Sequence, residues 1–273
     1  MKIRHPGWLP LAPFNTFLWH RPLILRLAAR EVAARYRGSL MGALWAVAVP
    51  LMMLTVYSFV FGVVFRARWS GTSDAKDFPV VLFAGLVCFW MFSESATRAP
   101  SLIRENAVYV KKIVFPVYVL PWVPMLSALF NAAIGLGILV AGRWVLVGPP
   151  PVTTLLAPLI LLPLALMTMG IAWVFASIGM YVRDLGHIVG VLVSAMMFLS
   201  PIFYPPEAVP EAFRQFLQFS PLTVPVEQLR AVVVWGNAPD WTALGLYSLA
   251  AWAVAWAGLS WFLKTQKGFA DVV

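Results

Sequence analysis

Charge is scarce in this 273-residue chain: 11% of the residues are Asp, Glu, Lys or Arg, while 61% are hydrophobic. A soluble domain carries about 25% charged residues. The shortage excludes such a domain, because this much apolar surface needs lipid or other spans against it. Cysteine is limited to Cys88, inside an apolar run, so an internal disulfide is excluded. Histidine is limited to His5, His20 and His187. The first two lie in the polar N-terminus, and His187 follows Arg183 and Asp184 at a turn, where a surface role outweighs that of a base. H-E-x-x-H, G-x-S-x-G and G-x-x-x-x-G-K-[ST] are all missing, so no zinc protease helix, nucleophile elbow or ATP phosphate cradle is expected. Acids are missing from the apolar runs, Glu94 excepted. Proton-coupled carriers place carboxylates within their spans, so that class loses ground, as does a membrane-embedded hydrolase. Arg98, four residues on, offers Glu94 a partner on its own helix. Residues 1–21 hold Pro6, Pro10, Pro13, His20 and Arg21 instead of the apolar core of a cleaved signal. The first span is therefore expected to act as its own anchor.

Apolar length is what the chain has in quantity. A span needs roughly 20 apolar residues to cross about 30 Å of hydrocarbon. Six candidates qualify: 38–65, 79–97, 117–141, 154–182, 186–204 and 241–263. Prolines interrupt the third and fourth, which membranes tolerate where neighbours meet the freed backbone groups. The net charge of +9 does not indicate nucleic acid, since the basic residues sit in short blocks between apolar runs. With the N-terminus inside, fourteen of the 20 lysines and arginines fall on the cytoplasmic side and six outside. The bias places both termini in the cytoplasm.

Three connecting segments carry further signals. Over 22–37, Arg26, Arg30 and Arg37 fall on one side of a helical wheel and Leu25, Ala28, Val32 and Tyr36 on the other, with Arg35 out of place. This pattern predicts a helix lying in the membrane interface; positive-inside flanking alone also accounts for the charges. Residues 98–116 are too polar to span, and Ser101 after Pro100 is placed to cap a short helix. A solvated loop and a docking element for a cytoplasmic partner both fit. Residues 205–240 hold two short amphipathic pieces, near 208–219 and 224–235, suited to a re-entrant or surface gate. Tyr57, Phe59, Phe89, Trp90, Phe198 and Tyr204 fall at or near mid-span, where aromatic faces offer sugar rings contact area with little directional bonding. Gly38 and Gly42 form a small-xxx-small pair that permits close helix approach.

Taken together, this is a passage without a motor, completed by a second copy on a two-fold axis. Three stretches then resemble a known family: RYRGSLMGALW (35–45), ENAVYVKKIVFP (105–116) with Leu-Pro at 120–121, and YVRDLGHIVGVLVSAMMFLSPIFY (181–204). The chain is similar, over about 22–270, to the membrane subunit of type-2 ABC exporters of O-antigen and related bacterial polysaccharides. The resemblance implies an all-α membrane protein of six transmembrane helices, with an N-terminal interfacial helix and short periplasmic gate helices between spans 5 and 6. It implies a cytoplasmic N-terminus (1–37), a six-span domain (38–263) and a cytoplasmic tail (264–273) in the bacterial inner membrane. It further implies a homodimer bound to two ABC ATPase subunits, which hold the ATP and Mg²⁺; no cofactor is expected in this chain. Ser101, Arg104, Glu105, Asn106, Lys111 and Lys112 then form the coupling segment. Arg26, Arg30, Arg35 and Arg37 are expected to meet the pyrophosphate of a lipid-linked glycan at the entrance. One departure is visible: many family members have a basic residue after the Phe-Pro of the loop, where this chain has Val117. Capsule, teichoic acid or a small drug or lipid are alternative cargoes, and a membrane sugar transferase or a secondary transporter are alternative functions.

Overall fold

The computed structural model describes residues 12–38, 41–64, 69, 77–110 and 115–271, and among them every regular element is helical. Ten α-helices follow in order: α1 (Ala12–Tyr36), α2 (Trp45–Tyr57), α3 (Phe78–Glu105), α4 (Ala107–Val110), α5 (Trp122–Leu146), α6 (Ala157–Tyr181), α7 (Leu185–Leu199), α8 (Glu211–Gln218), α9 (Thr223–Arg230) and α10 (Trp241–Thr265). Ser58–Val64 continues α2 as a π-helix, and Ala231–Trp235 does the same for α9.

Among the described residues five helical stretches are long and apolar enough to cross a membrane: Gly42–Val64, Phe78–Glu105, Val117–Leu146, Val152–Tyr181 and Trp241–Phe269. The sixth candidate, 186–204, is helical only over the 15 residues of α7. At 1.5 Å per residue that is about 22 Å, short of the full hydrocarbon thickness. Its helix stops at Ser200 because Pro201 brings no N–H to continue the ladder. Pro100, by contrast, does not stop α3, which runs on to Glu105.

The bundle is built around α3. In its most apolar stretch 78% of residues are buried, against none for Gly42–Val64, so α3 is the core and α2 the periphery. α3 packs on α5, α6 and α7, and α6 packs on α10. Two of these crossings need bare backbone. A Cβ on Gly258 of α10 would lie 2.2 Å from the Gly170 oxygen of α6, and one on Gly179 of α6 would lie 2.2 Å from the Pro100 oxygen of α3. Gly38 and Gly42, expected at such a crossing, are instead turn residues with φ of 84° and 50°, and nothing lies near their Cβ positions. They turn the chain between α1 and α2, a left-handed conformation that favours glycine.

α1 packs through a line of residues four apart: Thr16, His20, Ile24 and Ala28 are buried. The Trp122 indole N–H donates to the Thr16 hydroxyl at 3.1 Å, and the His20 Nε2 lies 2.9 Å from the Tyr118 hydroxyl. This divides the expected apolar face, since Ala28 packs inward while Leu25 is 52% exposed. At the far end, Asp240 caps α10 by accepting from the Thr242 and Ala243 amides at 2.9 and 3.0 Å.

Candidate functional site

A cavity of about 720 Å³ opens between α2, α3, α5 and α7. Its walls are mostly apolar: Trp45, Pro50, Met53, Tyr57, Trp90 and Met197 all contribute. One end is polar, where Arg35, Glu94 and Asn131 meet. The Arg35 Nη2 donates to Glu94 Oε1 at 2.5 Å, and the Asn131 amide donates to Glu94 Oε2 at 2.8 Å. Glu94 therefore pairs with a cation on α1, not with Arg98 on its own helix. Arg98 turns instead to Glu31 of α1, which also accepts from the Ser127 hydroxyl of α5 at 3.3 Å. The i,i+4 spacing was correct, but each side chain points at the neighbouring helix, where the carboxylate is shielded from water and the attraction is stronger.

The four entrance arginines do not form one cluster. Arg26, Arg30 and Arg37 are exposed; Arg30 reaches the Tyr109 hydroxyl at 3.4 Å. Only Arg35 lines the cavity.

The mid-span aromatics also divide. Tyr57, Phe89 and Trp90 line the cavity, although Phe89 is only 6% exposed. Phe198 and Tyr204 join a separate group around Phe203, a buried residue that periodicity did not single out. Phe61 stacks on Phe203 with centroids 4.3 Å apart, Phe198 stacks at 5.5 Å, and Tyr57 meets it edge-on at 5.5 Å. The Tyr204 hydroxyl ties this group to the end of α7 by donating to the Phe198 carbonyl at 2.9 Å. Phe59 is exposed and joins neither group.

The expected coupling segment is not a separate capped helix. Ser101, Arg104 and Glu105 form the last turns of α3, and the Ser101 hydroxyl donates back to the Arg98 carbonyl at 3.3 Å. Asn106 ends the helix, its side-chain amide donating to the Leu102 carbonyl at 2.9 Å. Glu105 is exposed and the single turn α4 follows, with Val108 70% exposed. Lys111 and Lys112 lie outside the described residues.

Two arginines counted among the outer charges act as staples. Arg143, at the end of α5, donates to the carbonyls of Gly148, Pro149 and Val233. Arg230, with no solvent exposure, donates to the carbonyls of Val81, Pro201 and Ile202 and to Glu227, and lies 4.2 Å from the Trp69 ring centroid. The sequence signal is the arginine with Glu227 at i,i+3 spacing; nothing in the sequence points to the three carbonyls.

The long apolar helices define a multi-pass membrane protein, with a lined recess between them. The chain belongs to the ABC-2 type transporter family, which matches residues 22–234. It is 30% identical over 263 residues to the O-antigen export system permease protein RfbA of Myxococcus xanthus, covering 93% of this chain and 96% of that protein. It is 25% identical over 252 residues to the Klebsiella pneumoniae protein of the same name, covering 92% and 95%. The polysialic acid transport protein KpsM of Escherichia coli is 24% identical over 243 residues, covering 88% and 92%. Membership makes the chain a transport subunit.

Proposed function

We propose that this chain is the membrane-channel subunit of an ATP-driven exporter that moves lipid-linked polysaccharide, O-antigen in the first instance, from the cytoplasm to the periplasm. The observation that carries the reading is near full-length similarity to O-antigen export permeases, in a chain whose cavity joins aromatic walls to a charged end. Similarity to polysialic acid transport proteins favours a capsule-type glycan as the second reading.

In this reading the chain crosses the inner membrane six times. α7 and the turn residues 200–204 together complete the fifth crossing, and 1–37 and 264–273 are both cytoplasmic. α1 lies along the interface, and Arg26, Arg30 and Arg37 face the headgroup region, ready for the pyrophosphate of the carrier lipid. Residues 98–116 meet the ATPase, and 205–240, containing α8 and α9, gate the periplasmic mouth. Two copies enclose the path, with α2 of each at the interface, and two ABC ATPase subunits supply ATP and Mg²⁺. The exposed apolar flank of α2, which includes Met52 and Val56, supports that arrangement. This subunit changes no bond: ATP closure of the partners displaces the end of α3, the path opens, and the glycan advances along aromatic walls.

The experiment is co-purification of the chain with the product of the neighbouring gene, followed by reconstitution with a lipid-linked glycan. Expected is a complex that hydrolyses ATP and moves glycan only when ATP is supplied. A chain that exports glycan alone, or on a proton gradient without ATP, overturns the reading.

A further inference from the structure

The pattern E-x-x-x-R occurs twice where two helices meet: EVAAR at 31–35 on α1 and ESATR at 94–98 on α3. Each had an intrahelical pair to hand, and each declines it. Glu31 takes Arg98 and Glu94 takes Arg35, so the helices run antiparallel here and their charges interlock. α5 adds a third pair four residues apart. Ser127 donates to Glu31 and Asn131 donates to Glu94. Each carboxylate thus holds a cation from one helix and a neutral donor from another, and the two ion pairs together carry no net charge.

The arrangement fixes register. Sliding α1 one turn along α3 in one direction sets Glu31 against Glu94; the other direction sets Arg35 against Arg98. Both slips place like charges together, and such repulsion is what makes polar contacts selective for a single alignment. The carboxylates are sheltered, at 17% and 20% side-chain exposure, which limits screening by salt. The joint also lies between two functional places. Arg35, Glu94 and Asn131 form the polar end of the cavity, and less than two turns beyond Arg98 helix α3 ends at the exposed Glu105.

We propose that Glu31, Arg35, Glu94 and Arg98, with Ser127 and Asn131, form a coupling joint that makes α1, α3 and α5 move in register, so that displacement of the cytoplasmic end of α3 reshapes the cavity. The four charged groups are positioning residues. The inference rests on the reading of the chain as the permease of an ATPase-driven exporter.

The test uses Glu31 and Arg98, which neither line the cavity nor belong to the entrance set. Glu31→Arg, Arg98→Glu and the double exchange are purified as complexes with the ATPase and reconstituted, and ATP turnover and glycan export are measured together. Each single reversal is expected to lower export per ATP by at least about ten-fold while ATP turnover stays within about two-fold. The double exchange is expected to restore export per ATP to within about three-fold. Single variants that export normally overturn the joint, and so does a double exchange no better than the singles in an assembled, ATP-hydrolysing complex. Should a reversal fail to assemble, Glu31→Gln with Arg98→Gln takes its place, leaving no uncompensated charge; the same uncoupling is expected, and unaltered coupling overturns the proposal. If the wild-type complex shows no ATP-dependent export, it is the underlying functional reading that fails.

Discussion

Arg230 is a cation with no access to solvent, held by three carbonyls, one carboxylate and one indole. Burying a charge is costly, and only a complete set of partners makes it tolerable. Gly85 makes room for it: a Cβ there would lie 3.0 Å from Nη2. Arg230→Ala leaves the Val81, Pro201 and Ile202 oxygens without their donor and is expected to cost about 3–5 kcal/mol. This reads as a lower thermal midpoint in detergent, with Arg230→Lys intermediate because an ammonium lacks the planar fork; an unchanged midpoint in Arg230→Ala refutes the staple. His20 gives a pH dependence. Burial pushes its imidazole below the usual histidine value, so the unfolded chain takes up the proton more readily than the folded one. Stability is therefore present at neutral pH and lost as pH falls below about 6.5. Urea or thermal unfolding between about pH 7 and 5 should show this slope in the wild type and a shallower one in His20→Gln; identical slopes count against it.

Among the elements, the close crossings of α6 are the least forgiving. Gly170 and Gly258 let the α6 and α10 backbones touch, and a Cβ on Gly170 would lie 2.6 Å from the Val254 carbonyl carbon and oxygen. Backbone cannot swing aside as a side chain does, so Gly170→Val is expected to reduce folded yield sharply, overpacking costing about 1–3 kcal/mol or more. Gly142→Val, with nothing near its Cβ position, should be far milder, and equal yields would refute the crossing. The sequence located the helices well where apolar length decides, as in α5, α6 and α10, and placed two short helices, α8 and α9, within 205–240. It failed where a long-range partner decides. Glu94, Arg98 and Pro100 read as the end of a span, yet α3 continues, its charges paired with those of α1 and Glu94 also hydrogen-bonded by α5. Apolar residues from 186 to 204 read as one span, yet the helix ends at Leu199. The cavity walls were half legible: Tyr57, Phe89 and Trp90 were found, while Asn131 and Trp45 join them only through packing.

For the whole molecule, α2 presents an exposed apolar flank, with Met52 60% and Val56 53% exposed. Cys88 is the sole cysteine and is buried, so a single replacement gives a clean background for labelling. Cysteine at Met52 is expected to cross-link two copies in native membranes, whereas cysteine at Leu249 on α10, 65% exposed, is expected to stay monomeric; the opposite pattern would move the two-fold axis off α2. α3 runs through the core of this bundle for 28 residues, about 42 Å, further than hydrocarbon is thick. A push rod of that length is only as stiff as its weakest point, which is Pro100, where a ladder bond is missing. Gly179 seats the α6 backbone against Pro100 itself, a Cβ there lying 2.2 Å from the Pro100 oxygen. The α6 backbone thus braces α3 at its weakest point, so under the proposed function a thrust on the tip of α3 would be passed to α6 as well.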